Sequence, residues 1–204
     1  MNRTIATGVV LGLLMAGVVQ TQSAPVVVDL MKPEGVELVK GQWKYSDARI
    51  VDAPAEPTGV RGIAYMIEPQ AGKAGYDDSR WLSITPEGLT ERRTGGFVSF
   101  NWYRITVTMP EQVGTFTTAG SKAFFSVTID DYAEVWVNGE LPRAPGGISP
   151  HLVSGFNVPN RVPLTESVEP GQEIQIAVFG MNGPISEGPG NRIFVREAKL
   201  EFER

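Results

Sequence analysis

The stretch Asp130-Asp131-Tyr132-Ala133-Glu134-Val135-Trp136-Val137-Asn138-Gly139 reads as a β-strand running into a tight turn. Side chains alternate across a strand. Asp131, Ala133, Val135 and Val137 therefore share one face, and Asp130, Tyr132, Glu134 and Trp136 share the other. The Ala/Val/Val face is the natural core face. The opposite face turns two aromatic rings and two carboxylates toward a groove or solvent. Asn138-Gly139 is a two-residue hairpin signal, because both residues tolerate positive φ.

Outward from this strand the pattern repeats. Short β-like runs lie near residues 42–50, 63–68, 81–85, 96–109, 123–130, 161–164, 173–179 and 192–203, and the 23 glycines and 15 prolines fall mainly between them. Many short, evenly spaced strands predict an all-β chain, an antiparallel β-sandwich of jelly-roll type. A short helical turn is expected near Pro86–Arg92. The longest run, Gly96 to Met109, is apolar late at its odd positions and polar late at its even ones. A bulge or a change of environment midway would explain the switch.

Residues 1–23 read as a signal peptide: Arg3 supplies a positive start, Ile5 to Val19 is largely apolar, and Thr21 and Ser23 place small residues before Ala24. The run is short for a membrane span. The expectation is export to the periplasm or the extracellular space, with no stable membrane span after cleavage. Residues 24–40 form a leader of undefined structure, and 41–204 a single sandwich domain. With 204 residues, 42% of them hydrophobic, the chain can bury a sizeable core. A net charge of -5 and no dense basic cluster argue against nucleic acid as a partner. The absence of cysteine excludes disulfides, thiolate metal sites and a cysteine nucleophile, and His151 is the only histidine.

The acids of the opening strand invite a glycosidase reading, since glycoside hydrolysis uses two carboxyls about 5–10 Å apart. Asp130 and Glu134 would lie roughly 13 Å apart along a strand, and Asp130 and Asp131 would point to opposite faces. No catalytic residue is therefore assigned. Tyr132 and Trp136 are candidates for stacking on a sugar ring. Asn138, Asn157, Asn160, Arg161 and Asn182 are candidates for hydrogen bonds to its hydroxyls. Arg104, inside a strand, would need a partner if buried, with Asp131 or Glu134 in view. Trp81 is expected in the core.

Three segments in order, Asp77-Asp78-Ser79-Arg80-Trp81, Trp102-Tyr103-Arg104 and Ala133 to Gly139, resemble the galactose-binding-like jelly roll at the N-terminus of β-galactosidase and β-glucuronidase-type glycosidases. Over most of the chain, Gly41 to Asp47, Asn101 to Ile105, Asp130 to Gly139, Gly155-Phe156-Asn157 with Asn160-Arg161-Val162, and Ala177 to Pro184 resemble the β-sandwich extension that precedes the propeller of some bacterial gluconolactonase-like proteins. The sequence stops at Arg204 without a propeller, so lactonase activity is not expected. The resemblance implies a non-catalytic carbohydrate-binding module, or an accessory domain docked on a separate propeller lactonase or glycosidase. It implies ligand sites on rim loops (72–80, 141–160 and 181–191) and a structural calcium near Asp77 and Asp78.

Overall fold

The computed structural model describes residues 24–53, 64–142, 152–153, 158–184, 186 and 190–204. The signal-peptide reading, His151 and Asn157 lie outside the described residues.

Two antiparallel sheets face each other. The smaller contains β1 (Val26–Asp29), β9 (Lys122–Ile129), β12 (Asn160–Thr165) and β14 (Val195–Glu203), in the order β1-β14-β9-β12. The larger contains β2 (Lys44–Asp47), β5 (Leu82–Ser83), β6 (Ser99–Thr108), β10 (Tyr132–Val137), β11 (Leu152–Val153) and β13 (Glu173–Asn182), in the order β11-β10-β13-β6-β2-β5. Two small ribbons stand apart: β3 (Arg49–Asp52) with β4 (Tyr65–Glu68), and β7 (Gln112–Val113) with β8 (Phe116–Thr117). The architecture is the antiparallel β-sandwich that the sequence predicts. A 3-10 turn at Glu87–Thr90 fills the place of the expected helical turn.

The core lies between the sheets and follows from period-two alternation. Ala133, Val135 and Val137 on β10, Tyr103, Ile105 and Val107 on β6, and Ile174, Ile176 and Val178 on β13 meet Phe125 and Val127 on β9 and Ala198, Leu200 and Phe202 on β14. Burial of each large apolar side chain contributes about 1.5–3 kcal/mol. The hairpin after β10 forms as read: Asn138 and Gly139 have φ of 50° and 86°, and Val137 and Glu140 exchange backbone hydrogen bonds.

One expectation changes, and another is decided between its two alternatives. The leader is part of the sandwich: β1 pairs with β14, and a short helix, α1 (Pro33–Leu38), follows with Pro33 in its first turn. The indole N–H of Trp43, itself buried, donates to the Leu30 carbonyl at 3.0 Å and ties this segment down. The second concerns the pattern switch in β6. Its ten residues pair with β13 in unbroken register, so no bulge exists there. The environment changes instead. Residues 101–105 are buried on both faces, whereas Thr106 is exposed. Among the described residues no helix is long and apolar enough to cross a membrane.

Candidate functional site

The outer face of the large sheet is not bare. Register brings side chains of one parity into rows across it. One row runs Trp136, Ala177, Arg104, Lys44, and the next runs Glu134, Phe179, Trp102, Ser46. The segment following β4 lies over these rows and forms a second apolar cluster with them: Ala71, Trp102, Ala177 and Phe179 are buried, with Ile67, Tyr76, Trp81 and Trp136 packed around them. Trp81 is thus a partly buried member of this outer cluster, against Tyr76, and not of the central core.

Arg104 holds the covering segment in place. It is 4% exposed, and its Nε donates to Asp78 Oδ2 at 2.8 Å while Nη1 donates to the Ala71 carbonyl. Lys44 Nζ donates to the other Asp78 oxygen at 2.6 Å. The partner of Arg104 is therefore Asp78, neither Asp131 nor Glu134. The reason is topological: β13 separates β6 from β10, and the loop crossing above β6 brings Asp78 closer.

Between the covering segment and the sheet is a pocket of about 320 Å³, lined by Ile67, Gln70, Gly72, Lys73, Trp102, Glu134, Trp136 and Phe179. Trp102 and Phe179 meet at 5.1 Å between centroids, tilted by 54°. Three aromatic rings thus border a space near the small end of ligand sites, which span roughly 300–1,000 Å³. The Glu134 carboxyl gives it chemistry. The Glu134 Oε2 accepts the Trp136 Nε1–H at 3.3 Å, and burial raises the carboxyl above the ordinary glutamate value, against the lowering effect of that hydrogen bond. The Nε1–H of Trp102 is buried with no hydrogen-bond partner among the described residues. A buried N–H without a partner is costly to the folded state.

Of the residues named from sequence, Trp136 lines this pocket. Tyr132 lies on the same face of β10, opposite Met181, two residues from Glu134 and outside the lining. The others sit elsewhere. Asn138 is engaged in the hairpin: its side-chain oxygen accepts the Gln175 N–H, and its own N–H donates to the Gln175 carbonyl. Asn160, 2% exposed, donates to the Ala133 carbonyl at 3.3 Å. Asn182 donates to the carbonyls of Arg192 and Asp130. Arg161 is on the other sheet, paired with Glu201 and Glu203 and stacked 3.5 Å over Phe124.

The two acids at the start of the opening strand also differ from expectation. Asp130 and Asp131 do not diverge. Burial raises the Asp131 carboxyl, and a side-chain hydrogen bond with Asp130 adds to the rise. They occupy the turn between β9 and β10, where strand alternation no longer applies. Asp130 Oδ2 also accepts from Arg196 at 3.3 Å.

The calcium expectation gains no support from this geometry. Asp78 has a cationic partner on each oxygen, and Asp77 Oδ1 accepts the Ser79 N–H at 2.9 Å. No three acidic or histidine side chains gather as a metal cage among the described residues.

The pocket residues not chosen from sequence as ligand contacts are Glu134, weighed there only as a catalytic acid, Trp102, Phe179, Ile67 of β4 and those of the covering segment. Trp102 and Phe179 stand on the outward parity of their strands, so alternation could have found them. Gly72 and Gln70 depend on a loop path that no local pattern encodes.

No protein-family model matches the chain, and no curated protein does. Among solved structures the fold is similar to part of a β-glucuronidase from glycoside hydrolase family 2, at 18% identity and a TM-score of 0.47, over 90% of this chain and 18% of that one. It is also similar to part of a glycosyl hydrolase family 2 member from Bacteroides cellulosilyticus, at 20% identity and a TM-score of 0.43, over 79% of this chain and 20% of that one. The Ruminococcus gnavus β-glucuronidase matches at 12% identity and a TM-score of 0.38, over 90% of this chain and 29% of that one. The chain spans about a fifth of the length of the first two. These are likenesses of fold to a small part of longer enzymes, and no residue role is taken from them. The gluconolactonase side of the resemblance finds no support among them.

Proposed function

We propose that this protein is an exported carbohydrate-binding module that holds one sugar ring in the pocket between the covering segment and the large sheet. The observation that carries the reading is the pairing of an aromatic lining, Trp102, Trp136 and Phe179, with a half-buried hydrogen-bond acceptor, the Glu134 carboxylate. A pyranose has apolar C–H faces suited to aromatic contact, and a rim of hydroxyls that both donate and accept. Glu134 accepts from such hydroxyls.

The module acts by binding, alone or beside a partner enzyme. Hydrolysis by the two-carboxylate route requires a second carboxyl across the sugar. Glu134 is the one carboxylate among the described lining residues.

The test is titration with a panel of methyl glycosides, followed by tryptophan fluorescence and calorimetry. Saturable binding that is lost in Trp136→Ala, with the melting profile retained, supports the reading. Background signal for every sugar rejects it and leaves the accessory-domain alternative, which a pull-down with a secreted glycosidase or lactonase would then address.

A further inference from the structure

The charges around the pocket are unequal in strength. Glu134 is half-buried, set two residues from Trp136 on β10 and beside Phe179 on β13. Lys73, the single cation of the described lining, is exposed. No arginine lines the pocket among the described residues: Arg104, one strand further across the sheet, is engaged by Asp78.

We propose that Glu134 determines the charge class of the ligand, so that the pocket admits pyranoses bearing hydroxyl or ammonium groups and rejects uronic acids. This rests on the reading of the pocket as a sugar site. An ionised carboxylate only accepts hydrogen bonds. With Oε2 receiving the Trp136 N–H, its remaining lone pairs call for donors from the ligand, which hydroxyl and ammonium groups supply. A uronate carboxylate brings no donor and carries the same sign. Partial burial of Glu134 beside Trp136 and Phe179 removes some of its water, so repulsion between two carboxylates is stronger there than in bulk water. Lys73 faces solvent, where its field is screened and its ion pairs are weak.

The experiment compares matched ligands on the full chain: methyl glucoside, glucosamine and glucuronate, with methyl galactoside and galacturonate as a second pair. Fluorescence and calorimetric titrations are run at neutral pH and two salt concentrations. Each uronate is expected to bind at least about tenfold more weakly than its neutral counterpart, a modest repulsion for partly buried like charges. In Glu134→Gln, which keeps the size and an acceptor for Trp136, this discrimination should disappear. Equal or tighter uronate binding by the unaltered protein overturns the inference while leaving the sugar site intact. So does discrimination that persists in Glu134→Gln. Absence of binding by every ligand overturns the sugar-site reading itself, and this inference with it.

Discussion

The backbone of Gly72 lies close against the indole of Trp136, and a Cβ at residue 72 would stand 2.4 Å from Cδ2 of that ring. Glycine is what allows the pocket wall to close on the aromatic side chain. Gly72→Ala must displace either the wall or the indole. Overpacking of this kind costs about 1–3 kcal/mol. Urea denaturation should show that loss, together with a shifted tryptophan emission and weakened sugar binding.

Asp78 is the counter-charge of a nearly buried arginine, with side chains 23% and 5% exposed respectively. Asp78→Ala leaves Arg104 without it. Breaking a buried pair costs about 3–5 kcal/mol, and the partial exposure of Asp78 puts the expected loss at the lower end. Because Arg104 also secures the Ala71 carbonyl, the covering segment should loosen, and sugar affinity should fall although neither residue lines the pocket. Arg104→Met, combined with Asp78→Ala, should recover part of the stability, since it removes the uncompensated charge. A double-mutant cycle measures this directly.

Burial raises the Glu134 carboxyl above its ordinary value of 4.5. The folded state therefore holds that proton more tightly than the unfolded chain does, and ionisation of Glu134 opposes folding at neutral pH. The penalty is fully present above the raised value and is relieved as pH falls from there through the ordinary glutamate range. Glu134→Gln should accordingly be at least as stable as the parent at pH 7, with the difference vanishing in acid. Sugar affinity should move the opposite way and weaken on acidification, as the acceptor becomes protonated. Parallel melts and titrations from pH 7 to pH 4 check both signs.

Arg161 stands on the outside of the small sheet, across the whole sandwich from the pocket. Its side chain is 37% exposed, but its partner Glu201 is only 9% exposed and, among the described residues, keeps just Lys199, at 3.5 Å, as a counter-charge when Arg161 is removed. Leaving a buried acceptor short of a partner costs about 1–3 kcal/mol. Arg161→Ala should cost stability in that range, measured by denaturation, and leave sugar titrations unchanged.

The fold was legible where chemistry is local. Alternation of Ala133, Val135 and Val137 identified the core face of β10, and Asn138-Gly139 identified its turn. The leader escaped because β1 is defined by its pairing with β14, a contact between distant parts of the chain. The site was legible in half. Trp136 stands on the predicted outer face, but Asn138, Asn160 and Asn182, chosen for ligand contact, satisfy backbone groups instead. A buried asparagine and a binding asparagine look alike in sequence, since both are set by which carbonyl arrives opposite. The segment carrying Gly72 and Asp78 is decisive for the pocket, and its position depends on Arg104 of β6 and Lys44 of β2 reaching over to it.

The pairing of β1 with β14 also bears on the order of events in folding. Val26 lies opposite Phe202, and β14 is flanked by β1 on one side and β9 on the other. The small sheet therefore cannot assemble on a nascent chain until residues 195–203 have emerged. Most of its contacts are closures of long loops, which slow folding. Until then β9 presents an unpaired edge where β14 will lie.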